Sequence, residues 1–226
     1  MLTPTEIQLA EELFGPSLDV EQVRFHDNAP IGLITRTYPV RPRTTCQELI
    51  QPPATGPTLQ GRTAGVTLWN HVHAREAWFL DDYAADYPDQ FNIVAAMFFA
   101  HELTHVWQWQ NRQHTGFTPS RAAWEHTQLA DPYLFDPDTE VSFLDYGYEQ
   151  QGALVEEFVC CATLDPQGAR TGRLRALLAD ALPPDAAGGT RMGSAISMGQ
   201  LSAVIGRTDI WLPWDGADID GICNQS

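Results

Sequence analysis

Residues 98–110 read Phe98-Phe99-Ala100-His101-Glu102-Leu103-Thr104-His105-Val106-Trp107-Gln108-Trp109-Gln110. His101 and His105 are four apart, and residues at that separation share one face of a helix. Two imidazoles presented together suit Zn²⁺, which needs three protein ligands and an open position to be catalytic. Glu102 lies one residue round the helix, within reach of a metal-activated water but not placed as a third ligand. That is the general-base position of an H-E-x-x-H zinc peptidase. Residues 91–100 are apolar and helix-compatible, which would shield the motif from water. Pro88-Asp89 supplies a start signal, with Asp89 able to cap the first turn.

The third ligand lies further along the chain. No glycine and no third histidine follow His105 at the metzincin spacing, so that branch is excluded. His114, beside Thr115-Gly116, and His126, after Trp124-Glu125, read as polar loop residues. A glutamate on a second helix is the other solution. Residues 149–164 read as such a helix, with Glu149, Gly152, Ala153, Glu156 and Cys160 on one face. Glu149 and Glu156 are seven apart, about 10 Å along the axis, so only one can bind a given ion. Glu149 is the choice, because Gly152 and Ala153 one turn on are small and permit close approach to the motif helix. Glu156 is the fallback. The blander reading puts Glu149, Glu156 and Glu157 on a solvated face, and it suits Glu157 best.

Composition limits the function. A net charge of −16 over 226 residues argues against nucleic acid or an anionic membrane as partner. No apolar run is long enough to span a bilayer, and the N-terminus has neither the basic start nor the apolar stretch of a secretory signal. These features point to a cytoplasmic protein, with export by a specialised secretion system as the other route. Of the four cysteines, adjacent Cys160 and Cys161 read as small core residues, and Cys46 and Cys223 can form a disulfide.

The coarse organisation is α+β. Thr3, Pro4 and Glu6 form a helix start that runs to Gly15. Strand-like stretches cover 22–26, 31–38 and 65–73, with loop at 51–64 and again through 115–148. His71 and His73 share one face of the 65–73 strand. Such a pair can bind metal, but with no acidic or thiol partner nearby they read as polar residues near the cleft. Residues 172–182 form another helix. Residues 1–183 make one domain, and 184–226 form a Gly/Pro-rich extension packed on or covering it.

Leu2-Thr3-Pro4-Thr5-Glu6-Ile7, Val23-Arg24-Phe25-His26, His101–Gln108 and Tyr146-Gly147-Tyr148-Glu149-Gln150-Gln151 occur in one order. In that order they resemble the bacterial "Vgr-related" zincin-like proteins, gluzincin-type metallopeptidase-like chains associated with secretion spike proteins. The resemblance covers residues 2 to about 160. It implies a minimal gluzincin core: a small sheet with one strand bordering the cleft, the motif helix beneath it, and a glutamate helix behind. It also implies Glu149 as the third ligand. Gluzincins often carry an acidic residue four after that glutamate to orient a metal histidine; here the position is Ala153.

The resulting expectation is a zinc-dependent, peptidase-like hydrolase acting on a peptide or protein. His101, His105 and Glu149 hold the ion, Glu102 is the general base, and Tyr146, Tyr148 or His126 stabilises the oxyanion. The rival is a non-catalytic interaction module, a secretion-associated cargo or adaptor that keeps the fold and cleaves nothing.

Overall fold

The computed structural model describes residues 1–27, 33, 35–136, 141–181 and 209–224. In chain order the helices and strands are α1 Pro4–Phe14, β1 Arg24–His26, β2 Arg36–Pro39, α2 Cys46–Leu49, β3 Thr58–Gly61, β4 Gly65–Leu68, β5 His71–Ala74 and β6 Gln90–Asn92. There follow α3 Ile93–Gln110, α4 Arg112–Thr115, α5 Pro119–Gln128, α6 Tyr148–Leu164, α7 Ala169–Ala181 and β7 Asp209–Trp211. The architecture is α+β, with two long helices, α3 and α6, packed together at its centre.

Local signals explain the first helix. Thr3 caps α1 through its hydroxyl, Glu6 reaches back to the Thr3 amide, and Pro4 occupies the first turn. Glu6 also accepts the Tyr83 amide at 3.0 Å, so one carboxylate caps the start of the helix and ties it to the segment before β6. Leu9, Leu13 and Phe14 turn to the core.

Helix α3 is apolar almost all round, and a helix of that kind must be buried. Residues from Ala95 to Gln108 are buried without a break. Its start differs from the Pro88-Asp89 reading. Residues 90–92 are drawn into parallel pairing with β7, and the Asn92 side chain caps the helix by accepting the Ala95 amide at 3.1 Å. A partner strand some 120 residues away leaves no trace in the local pattern.

The sheet that borders α3 has the order β1-β5-β4, with β1 parallel and β4 antiparallel to β5. Residues 65–73 are therefore not one strand. The chain turns back at Trp69-Asn70, with Trp69 at φ 58°, and the turn is held where Gln110 at the end of α3 donates to Asn70 Oδ1 at 3.1 Å. The 51–64 loop contains β3, which pairs antiparallel with β2 across the intervening α2 segment. The 115–148 stretch contains α5, which Thr118 caps by accepting the Arg121 amide.

Helix α6 is fixed at both ends. At its start, the Tyr148 amide donates to Glu125 Oε2 of α5 at 2.8 Å. At its far end, Cys160 is bonded to Cys46 and Cys161 to Cys223. Adjacent helical residues point about 100° apart, so one helix end holds both the α2 segment and the tail. This replaces the expected Cys46–Cys223 pairing and the reading of Cys160 and Cys161 as plain core residues. Glu157 is not on a solvated face either: it is fully buried, accepting the Cys46 amide at 2.8 Å and Arg170 Nη1 at 3.1 Å.

Residues 184–208 lie outside the described residues. The later part of the expected extension adds β7 to β6 and anchors Cys223 on α6.

Candidate metal centre

His101 and His105 rise from consecutive turns of α3, and Glu149 stands in the first turn of α6. The two Nε2 atoms are 3.2 Å apart. Glu149 Oε2 lies 3.3 Å from His101 Nε2 and 3.4 Å from His105 Nε2. A tetrahedral ion with ligands at 2.0–2.1 Å spaces them by about 3.3–3.4 Å. The donor triangle therefore has the size of one face of such a tetrahedron. All three side chains are buried, and the group can hold a metal ion.

Proton placement supports the same reading. His105 Nδ1 is 2.8 Å from Gln108 Oε1. Gln108 Nε2 donates to the Tyr148 carbonyl at 3.1 Å and to Gln151 Oε1 at 2.9 Å. The Gln108 oxygen must then face His105, so Nδ1 carries the imidazole proton and the Nε2 lone pair faces Glu149. A lone pair and a carboxylate oxygen face to face require a cation or an added proton between them. Burial pulls the His101 basicity down, but Glu156 and Glu149 outweigh it and hold it well above its ordinary value. Burial likewise opposes charge on His105 and is outweighed by Glu149. Burial raises Glu149, yet His105, His101 and His126 together hold it well below the usual carboxylate range. The pocket is arranged for positive charge.

The close helix approach rests on Gly152. A Cβ there would fall 2.7 Å from His101 Cε1, so any side chain would push the ring out of the triangle. Ala153 is buried, and no acid occupies its place. Glu156 supplies one from a turn further on, with Oε1 3.3 Å from His101 Nδ1, although the Nδ1 hydrogen bond is not aligned. The two glutamates thus address opposite edges of one imidazole. Glu149→Ala is expected to abolish metal binding at this centre. Glu156→Gln is expected to weaken it by roughly 10- to 100-fold, as for a group that orients a ligand. Competition titration with a chelating dye reads both, and the reverse ranking would make Glu156 the ligand.

Glu102 is buried on the sheet side of the pair. Thr67 Oγ1 donates to Glu102 Oε2 at 2.6 Å. Gly65, on the same face of β4, leaves room for the other oxygen: a Cβ there would lie 2.3 Å from Oε1. Burial raises the Glu102 carboxyl above its ordinary value, opposed by His101, His105 and the Thr67 hydrogen bond. A raised carboxyl is a better proton acceptor than an exposed one.

The residues expected to flank the metal group are placed differently from one another. His126 belongs to α5 rather than a loop, and its Nε2 is 2.8 Å from Glu149 Oε1, the oxygen turned away from the histidines. Tyr148 donates its hydroxyl to the Gly116 carbonyl at 2.9 Å. Tyr146 and Tyr148 border a neighbouring cavity with Arg121 and Trp124, not the cleft over the metal group. His114 lies in α4 with Nε2 3.0 Å from the Ala181 carbonyl.

Tyr133 carries no local signal in the sequence and stands in the cleft, its ring centred 5.7 Å from His101 and 5.9 Å from His126. Burial pushes its phenol up, so it is a hydrogen-bond donor at neutral pH. Arg41 lies 5.4 Å from its ring centre and donates to Asp131 Oδ2 at 2.6 Å, which holds the segment down. The cleft has a volume of about 420 Å³ and runs between β4 and α5.

The fold is similar to that of the effector domain of Pseudomonas aeruginosa VgrG2b, with a TM-score of 0.50 and 22% sequence identity over 78% of this chain and 82% of that one. No protein-family model and no curated protein matches the chain. At that identity the likeness concerns the fold: this chain has the architecture of that effector domain.

Proposed function

We propose that this chain is a zinc-dependent peptidase and a secretion-associated effector. The observation that carries the reading is the buried triangle of His101, His105 and Glu149 with Glu102 beside it. A His₂Glu donor set with a fourth position open to a cleft is that of catalytic zinc rather than structural zinc, which is closed by four protein ligands. Zinc bound there would act as a Lewis acid on a scissile carbonyl and lower the pKa of water.

The chain's own residues do the rest. Glu102, held by Thr67, accepts a proton from water and returns it to the leaving amine. Tyr133 donates to the oxyanion, a role for which it is better placed than Tyr146 or Tyr148. His126 holds the outer oxygen of Glu149 and fixes the carboxylate's orientation. Strand β4 is the edge of its sheet, and Val66, Thr67 and Leu68 line the cleft. An edge strand offers backbone groups to an extended peptide, which favours a peptide or protein substrate over a small ester.

The fold neighbour is an effector domain, which supports delivery by a secretion system. The two disulfides suit work outside the reducing cytosol. Among the described residues no helix is long and apolar enough to cross a membrane.

Elemental analysis tests the metal half of the reading. The purified protein is expected to hold about one Zn²⁺ at this centre, and the His101→Ala/His105→Ala variant to lose that one ion per chain. A zinc content in that variant unchanged from the wild type would refute the site. Zinc-dependent cleavage of a peptide library tests the other half.

A further inference from the structure

On the far side of the same sheet three histidines come together. β1 and β5 run parallel with His26 opposite His73, and His71 is two residues back on β5. Side chains alternate across a strand, so His26, His71 and His73 share one face. The other face carries Phe25, stacked on Phe99 of α3, and Val72, which is fully buried. Thr67, the residue opposite Val72, touches Glu102. The histidines therefore point away from the cleft and do not border it, contrary to the sequence reading of His71 and His73.

We infer that His26, His71 and His73 form a second metal site, on the outer face of the sheet, for a divalent transition ion such as Zn²⁺ or Ni²⁺. His26 Nε2 is 2.8 Å from His71 Nδ1, so two imidazole nitrogens already converge. The His26 and His73 rings are stacked with centroids 4.8 Å apart, and the His26 and His71 rings 5.1 Å apart. Two histidines alternating on one strand and a third on its neighbour supply the three imidazoles that zinc accepts, once the His73 ring, now stacked on His26, turns a nitrogen inward. His71 is exposed and His26 and His73 half-buried, so turning the His73 ring toward the other two requires no repacking of the core.

Charged groups of both signs lie near the three histidines. Arg24 stands opposite His71, on the face that also carries His26. Asp27 follows it on the surface, and the chain as a whole carries −16, which concentrates divalent cations near it. An ion there would join β1 to β5 through side chains as well as through their short backbone ladder. It would stabilise the sheet on which β4, and with it Thr67 and Gly65, is carried. The sequence supplies the His71-x-His73 pair; only the parallel register brings His26, 45 residues earlier, beside it.

Calorimetric titration of the full chain with Ni²⁺, run on the wild type, on His71→Ala/His73→Ala, on His26→Ala and on His101→Ala/His105→Ala, tests the site apart from the proposed peptidase centre. The cleft variant is expected to keep one Ni²⁺ per chain. The His71→Ala/His73→Ala variant is expected to lose that ion, and His26→Ala to bind it at least tenfold more weakly. Circular dichroism should show the surface variants folded, with a metal-free melting temperature like the wild type's. Ni²⁺ at tenfold excess over its dissociation constant should raise the melting temperature of the cleft variant by about 3–6 °C. Equal stoichiometry and affinity in the wild type and the His71→Ala/His73→Ala variant would overturn the site. So would loss of all Ni²⁺ binding in the cleft variant, because every ion would then belong to the cleft.

Discussion

Glu102→Gln is expected to leave zinc content unchanged and to lower peptide hydrolysis by at least roughly 10²-fold, the contribution typical of a general base. In free energy that is about 2.7 kcal/mol or more of lost transition-state stabilisation. The amide keeps the size of the carboxylate, so the space that Gly65 leaves is still filled, and it can still pair with the Thr67 hydroxyl. It cannot take a proton. Because Glu102 is outside the His101–His105–Glu149 triangle, removing its charge does not remove a ligand. The assay compares kcat/KM with zinc content measured on the same preparation. Unchanged hydrolysis in a zinc-loaded variant would show that another group is the base. A zinc-loaded wild type that cleaves nothing in a broad peptide library would instead favour the interaction module over the peptidase.

Breaking the Cys46–Cys160 bond by Cys46→Ser/Cys160→Ser is expected to cost about 4–5 kcal/mol of stability. The bond closes a loop with a sequence separation of 114, and the chain-entropy model gives that magnitude for a loop of about 100 residues. For a chain of this size it corresponds to a fall in melting temperature of roughly 10–20 °C. Both cysteines are fully buried, with the Cys46 amide on Glu157, so both serines would bury their hydroxyls. Thermal unfolding with and without reductant, followed by thiol counting on the unreduced protein, reads the effect. Four free thiols, or a melting temperature insensitive to reductant, would show that the cysteines are unpaired. Because α6 carries Glu149 at one end and both disulfides at the other, the variant should also bind zinc less tightly at temperatures near its transition.

How much the sequence reveals differs from element to element. Helix α1 was legible because its signals are local: Thr3, Pro4 and Glu6 act within one turn. The α3 and α6 helices were legible because one is apolar all round and the other repeats small and apolar residues at helical spacing. The single strand read at 65–73 was wrong because alternation is the same in one long strand and in a tight hairpin, and Trp69-Asn70 is not a strong turn signal. β3 and the start of α3 were missed because their boundaries are set by partners far along the chain: β2 for the first, β7 for the second.

The same division runs through the site. The sequence by itself determined the His101, Glu102 and His105 constellation, since i and i+4 on a helix face one way whatever the tertiary fold. It also placed Glu149 on a second helix with a small residue one turn on. What it could not decide was everything that depends on two elements meeting. Glu156 reaches the far edge of the His101 ring only because Gly152 lets α6 lie against α3. Thr67 holds Glu102 only because β4 runs along that helix. Tyr133 enters the cleft, and Tyr148 leaves it for Gly116, through chain paths that no short-range pattern encodes. The cysteines pair as 46 with 160 and 161 with 223 because adjacent helical positions point to different neighbours. Side-chain chemistry and helical periodicity are local properties and are written in the sequence; the partners of a buried polar group are set by packing, and only the tertiary structure supplies them.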